Sequence, residues 1–179
     1  IITAVKDNGA DFGIIFDTDV DRAGAVDKNG IPINRNRFIA LMATIVLEEH
    51  PGSVIVTDSV TSTGLKWWIE EKLGGEHHRF QRGYRNVINE AVRLNATGKE
   101  SWLALETSGH GALKENYFLD DGAYQIAKIL IKIAQLKAAD DGTIDELIAD
   151  LPEPVEAAEY RPKIKTANFN VYGTSVLKG

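Results

Sequence analysis

Along the chain, short apolar runs bounded by turn residues alternate with longer stretches in which apolar residues return every three or four positions. IITAVKDN reads as the last turns of a helix closed by Gly9, because glycine takes the left-handed conformation that ends a helix. DFGIIFD at 11–17 reads as a buried strand, AGAV at 23–26 as a second, and DKNG at 27–30 as the hairpin turn leading to IPI. Asn34 is placed to cap a helix over 35–49 that sets Phe38, Leu41, Ile45 and Val46 on one face and stops at Pro51-Gly52. The strand SVIVTD follows at 53–58. Beyond it the spacing predicts a helix near 63–73 ended by Gly74-Gly75, a strand near 77–81, a helix near 84–95, a strand WLALE at 102–106 and a long helix near 122–139.

Strands separated by helices of this length require crossover connections, so the pattern predicts an α/β fold: three layers, α/β/α, around a mainly parallel, mixed sheet. Ligands of such sheets gather beyond the carboxyl ends of the strands. After Asp140 the pattern weakens to a short helical stretch, TIDELIADL, then Pro152, Pro154 and Pro162 among charges, then the polar NFNVYGTSVLKG. Residues 141–179 therefore read as a linker with little core of their own. No internal repeat is present, which excludes a solenoid.

Composition narrows the functional classes. With 179 residues, 44% hydrophobic and 26% charged, the chain has material for one full core. A net charge of −6 without clustered Lys and Arg argues against nucleic acid as a partner. Cysteine is absent, so disulfides and thiolate metal sites are excluded, and apolar runs such as ALMATIVL at 40–47 are too short to span a membrane. A cytoplasmic setting is expected. The first residues carry neither an initiating Met nor a signal sequence and read as the inside of a domain, so the chain is expected to be an internal piece of a longer parent.

Two polar loops carry the candidate chemistry. Directly after the first strand, Asp17, Asp19 and Asp21 alternate and Arg22 follows. Each single Asp could be a solvated turn residue, but three converging carboxylates repel one another unless a cation joins them, and a hard dication such as Mg²⁺ takes such oxygens. The guanidinium of Arg22 suits a phosphate oxygen beside the metal. A calcium-binding EF-hand loop counted from Asp17 needs Gly and Glu where Arg22 and Lys28 stand, and is excluded. An aspartyl-nucleophile phosphatase of the haloacid dehalogenase type stays open as the runner-up, as does a non-catalytic module binding metal or sugar phosphate.

The second loop, LETSGHG at 105–111, follows another apolar strand, and its glycines permit a sharp turn that brings Glu106, Ser108 and His110 toward one polyol. Paired with the first loop at one end of the sheet, it reads as a sugar site. His77 and His78 read as exposed positions at a strand start, and Trp67, Trp68 and Trp102 as core and interface packing.

Together, DTDVDR at 17–22 and LETSGH at 105–110 resemble the α-D-phosphohexomutase family, whose metal loop is usually written DGDxDR and whose sugar loop lies close to GExSGH. Thr18 and Leu105 depart from that pattern, each replacing a Gly. The resemblance covers roughly residues 9–139 and implies domain II ending near 33, domain III over 34–140, and a linker toward a fourth domain. It also implies Mg²⁺ on Asp17, Asp19 and Asp21, Arg22 as a catalytic residue beside the transferring phosphoryl group, and Glu106, Ser108 and His110 on sugar hydroxyls. Arg85, in RGYRNV, would lie near the cleft. The implied partners are a glucose or mannose phosphate, its 1,6-bisphosphate and the remaining domains of the parent, which would supply the phosphoserine and the phosphate-gripping loop. The piece alone is expected to be inactive.

Overall fold

A computed structural model of the chain describes residues 1–178 apart from 157, 159–162, 164 and 166, so Pro162 lies outside the described residues. Helix α1 (Ile2–Asn8) ends as expected on Gly9 at φ 57 and leads into β1 (Phe12–Phe16). β2 (Ala23–Asp27) returns antiparallel to it, and β3 (Pro32–Ile33) pairs antiparallel with β2, giving a small sheet ordered β1-β2-β3.

The second sheet is the frame of the larger unit. Its order is β5-β4-β6-β7, built from β4 (Val54–Asp58), β5 (Glu76–Phe80), β6 (Ser101–Leu105) and β7 (Gly111–Leu113). The first three run parallel, as the alternation predicts, and β7, a strand the alternation does not show, is antiparallel to β6 and makes the sheet mixed. Helix α2 (Arg35–Glu49), helix α3 (Thr63–Trp67) with its π-turn to Lys72, and helix α5 (Gly122–Ala139) join Ile55, Leu103 and Leu105 on one side. On the other side α4 (Tyr84–Ala96) brings Val87, Ala91 and Leu94 against Val54, Val56 and Ala104. The alternation of side chains along β4 and β6 thus feeds two apolar layers, and every residue of β4 is buried.

Several local readings change. Helix α2 is not a one-faced helix: residues 38–43 and 45–47 are all buried, because Ile144, Ile148 and Leu151 belong to the same core. These three residues lie in the segment expected to be a linker, where Glu146–Ile148 forms one 3-10 turn. Only Thr44 interrupts the buried run, and its hydroxyl is used twice, donating to Ala40 O and accepting from Trp68 Nε1 at 3.2 Å. Asn34 precedes α2 but makes no capping hydrogen bond; Arg35, the first helical residue, sits at φ 48, so the chain enters by a different turn.

His77 is buried rather than exposed, its Nε2 lying 2.8 Å from Thr57 Oγ1 on the neighbouring strand. His78 is half-buried against Glu90, a carboxylate on α4 that also takes two 2.7 Å hydrogen bonds from Arg93. Trp68 is in the core and Trp67 is exposed, whereas Trp102 stacks on His50 at 3.5 Å between ring centroids. A last helix, α6 (Phe169–Lys178), carries Phe169, Val171, Tyr172 and Val176 exposed. Among the described residues no helix is long and apolar enough to cross a membrane.

Candidate functional site

The carboxylate loop is the turn between β1 and β2. Asp17 spans it: Oδ1 accepts from the Arg22 amide at 3.2 Å and Oδ2 from Arg22 Nε at 2.5 Å. Partial burial works to raise the Asp17 pKa, but the hydrogen bonds and charge of Arg22 outweigh it and hold the carboxyl below its ordinary value. At the tip, Val20 adopts φ 64, a left-handed conformation uncommon for a β-branched residue. The loop is pinned there from outside, since the Gly122 amide at the start of α5 donates to Val20 O at 3.1 Å. Asp17, Asp19 and Asp21 each offer an oxygen, and the three oxygens lie within 4.8 Å of one another.

The second loop is also a hairpin, between β6 and β7. Glu106 N donates to His110 O at 2.9 Å and Gly109 N to Glu106 O at 3.0 Å. Glu106 is buried, with Oε1 accepting from the Gly83 amide at 2.6 Å and Oε2 from Ser108 Oγ at 2.9 Å. His110 Nδ1 lies 2.8 Å from Asp120 Oδ2 and 3.5 Å from Asp21 Oδ2, and its ring is stacked on Tyr84 at 4.7 Å. The other Asp120 oxygen accepts from the Gly111 amide. Burial pushes the Asp120 carboxyl above its ordinary pKa, against the pull of His110.

The two hairpins meet. Arg22 and His110 form an isolated antiparallel bridge, and Gly109 lets the backbones approach so closely that a Cβ there would stand 3.0 Å from Ala23 O. Gln125, fully buried on α5, donates from Nε2 to Gly111 O at 3.1 Å and holds the second hairpin from below. The chain thereby brings Asp21, Arg22 and His110 into one cluster, with Glu106 and Ser108 a few residues away on the same hairpin.

A family model for phosphoglucomutase/phosphomannomutase, alpha/beta/alpha domain III, matches residues 34–155. The chain belongs to the phosphoglucomutase/phosphomannomutase family. It is 34% identical over 160 residues to a phosphoglucomutase of Neisseria gonorrhoeae, covering 89% of this chain and 32% of that protein. A phosphomannomutase/phosphoglucomutase of Pseudomonas putida is 32% identical over 160 residues, with the same shares of 89% and 32%. A solved phosphoglucomutase/phosphomannomutase family protein of Burkholderia thailandensis superposes with a TM-score of 0.72 at 33% identity, covering 87% of this chain and 32% of that one. The chain therefore spans about a third of the length of the relatives it matches.

Sequence reasoning missed Tyr84, Asp120 and the Gly83 amide, which touch the second hairpin, and Asp58, which accepts a hydrogen bond from Thr107 between Glu106 and Ser108. Asp120 could have been found as the first residue of the Asp-Asp-Gly run that opens α5, where only its neighbour Asp121 caps the helix, by accepting from the Tyr124 amide. Asp58 could have been found as a third strand-end acid, after SVIVT. The Gly83 amide leaves no mark in the sequence near Glu106. Arg85 sits on the first turn of α4, exposed, with its Nε donating at 3.1 Å to the hydroxyl of Tyr84, the residue stacked on His110.

Proposed function

We propose that the chain is part of an enzyme that moves a phosphoryl group between O1 and O6 of glucose phosphate or mannose phosphate through a 1,6-bisphosphate. The observation that carries the reading is the Arg22–His110 bridge, which sets a triple-carboxylate turn and a polyol-type turn side by side. The small sheet over residues 1–33 is assigned to domain II and residues 34 onward to domain III, with the segment beyond about 155 leading to domain IV.

The donor set at the first turn fits Mg²⁺. It is all oxygen, its three oxygens lie within 4.8 Å, and Asp21 Oδ1 is buried without a hydrogen-bond partner among the described residues. Asp17, Asp19 and Asp21 would hold the ion, which when bound neutralises charge on the phosphoryl group. Arg22 lies on the same turn, its Nε fixed by Asp17 and its side chain about half exposed, so the fork is oriented and open to a ligand. Its role is to bind a phosphoryl oxygen. Glu106, Ser108 and His110 bind and orient the sugar hydroxyls: Glu106 accepts, Ser108 accepts or donates, and His110 is held by Asp120 and Tyr84 so that its ring keeps one orientation. The phosphoserine that donates the phosphoryl group is assigned to another part of the parent.

The test has two arms. Titration calorimetry of the chain with Mn²⁺ or Mg²⁺ should give binding heat that Asp19→Ala abolishes, and equal heats from both proteins would count against the metal turn. A coupled assay of the parent enzyme should show interconversion of the 1- and 6-phosphates. The clamp of Arg22 on Asp17 speaks against Asp17 as a phosphatase nucleophile; hydrolysis of p-nitrophenyl phosphate by the chain alone would restore that alternative.

A further inference from the structure

Asp58, the last residue of β4, is fully buried, yet its Oδ1 has no hydrogen-bond partner among the described residues. Native folds seldom retain such an atom without a reason, because an unpaired buried carboxylate oxygen is destabilising. Its other oxygen, Oδ2, accepts from Thr107 Oγ1 at 2.6 Å. Thr107 stands between Glu106 and Ser108, and neither it nor Asp58 has a part in the assignment above. The register explains the meeting: Thr57 pairs with Leu105, so Asp58 and Glu106 leave neighbouring parallel strands side by side.

We propose that Asp58 is a positioning residue for the polyol site: acting through Thr107, it fixes the angle at which the Glu106–Ser108 segment leaves β6. The inference rests on the sugar-binding reading of Glu106. Burial, reinforced by the neighbouring Glu106 charge, raises the Asp58 pKa against the hydroxyl and amide of Thr107. What Thr107 meets is an acceptor oxygen, which an amide side chain of the same shape also offers, so Asn can take its place. Glu106 is held on its far side by the Gly83 amide, and the brace at Thr107 is what keeps that contact aligned.

Thr107→Val, Asp58→Ala and Asp58→Asn separate the possibilities. Thr107 is only half-buried, so its valine variant keeps the fold even where Asp58→Ala does not. In the 179-residue chain, hydrogen exchange at the Gly83 amide should accelerate in Thr107→Val and Asp58→Ala and stay at the wild-type rate in Asp58→Asn. In the parent enzyme, Thr107→Val should raise KM for the hexose phosphate about tenfold with kcat within about twofold, because a misaligned Glu106 weakens ground state and transition state alike. The Asn variant should stay near wild type. Wild-type exchange and KM in Thr107→Val would overturn the proposal, as would an Asn variant as impaired as Ala. If the wild-type parent turns over no hexose phosphate, the function proposed above fails, while the Gly83 exchange rates still decide whether the brace exists.

Discussion

Arg22 and His110 are paired across an isolated antiparallel bridge, so the end of the carboxylate turn sets the register of the Glu106–His110 turn. Two hairpins from different sheets are thereby joined by backbone, which holds the geometry whatever the side chains do. The same end of the structure is closed by α5, whose first residue, Gly122, lies against the carboxylate turn: a Cβ there would stand 2.7 Å from Arg22 C and 2.9 Å from Val20 O. Neither contact can yield by a side-chain rotation.

Gly122→Ala is therefore expected to move the carboxylate turn away from α5. Overpacking of this kind is destabilising by about 1–3 kcal/mol. The variant should melt earlier than wild type and bind Mn²⁺ more weakly in calorimetry. An unchanged Mn²⁺ affinity would show that α5 does not set the positions of the three carboxylates.

Val20 gives an expectation of opposite sign. Its φ of 64 is strained for a β-branched side chain, and the side chain itself is exposed, so little packing is lost on replacing it. Asparagine tolerates the left-handed region, and Val20→Asn should raise stability by about 1 kcal/mol. Thermal denaturation checks this; a lower melting temperature would mean that the valine contributes more by contact than it loses by conformation.

His77 supplies a pH dependence. Burial, with the charges of Arg79, Lys66 and His78, pushes its pKa from 6.5 down to about 4. Between those values the unfolded chain binds the proton and the folded chain does not, so this residue makes stability fall as pH drops from about 6.5 toward 4 and then level off. The full span amounts to about 3 kcal/mol. Urea denaturation of wild type and His77→Gln at about pH 7.5 and pH 4.5 should show the wild type losing more stability than the variant; parallel losses would place the imidazole in water.

The sequence carried more of the fold than of the site's inner surface, for a physical reason. The β1 and β6 loops were readable because each consists of alternating polar residues directly after an apolar run, and α5 was readable from Gly122 to Ala139 because its period and ends are local. The burial of His77 was not, since its partner Thr57 lies 20 positions earlier on another strand. The amide that closes on Glu106 likewise comes from Gly83, 23 positions away, and a backbone donor has no residue type to betray it. Helix α2 shows the same limit from the apolar side. Its pattern names a face, but only the later Ile144, Ile148 and Leu151 reveal why the rest of its surface is apolar too.

That late segment can be tested at Gly64, on α3. A Cβ built there would lie 2.1 Å from Pro152 O and 3.0 Å from Pro152 C, both backbone atoms, so the chain just after Leu151 rests directly on the bare glycine. Nearby, Arg37 Nη1 reaches Glu153 at 3.3 Å, and Lys72 reaches Asp150 at 3.1 Å, both too exposed to hold the segment by themselves. Gly64→Ala should lift the segment from α3 and strip cover from α2. The expected loss is about 1–3 kcal/mol, with thermolysin, which cuts before apolar residues, cutting first at Leu147 or Ile148. A variant as resistant as wild type would show that the glycine is not what lets this strap lie down, and that Ile148 and Leu151 hold it unaided.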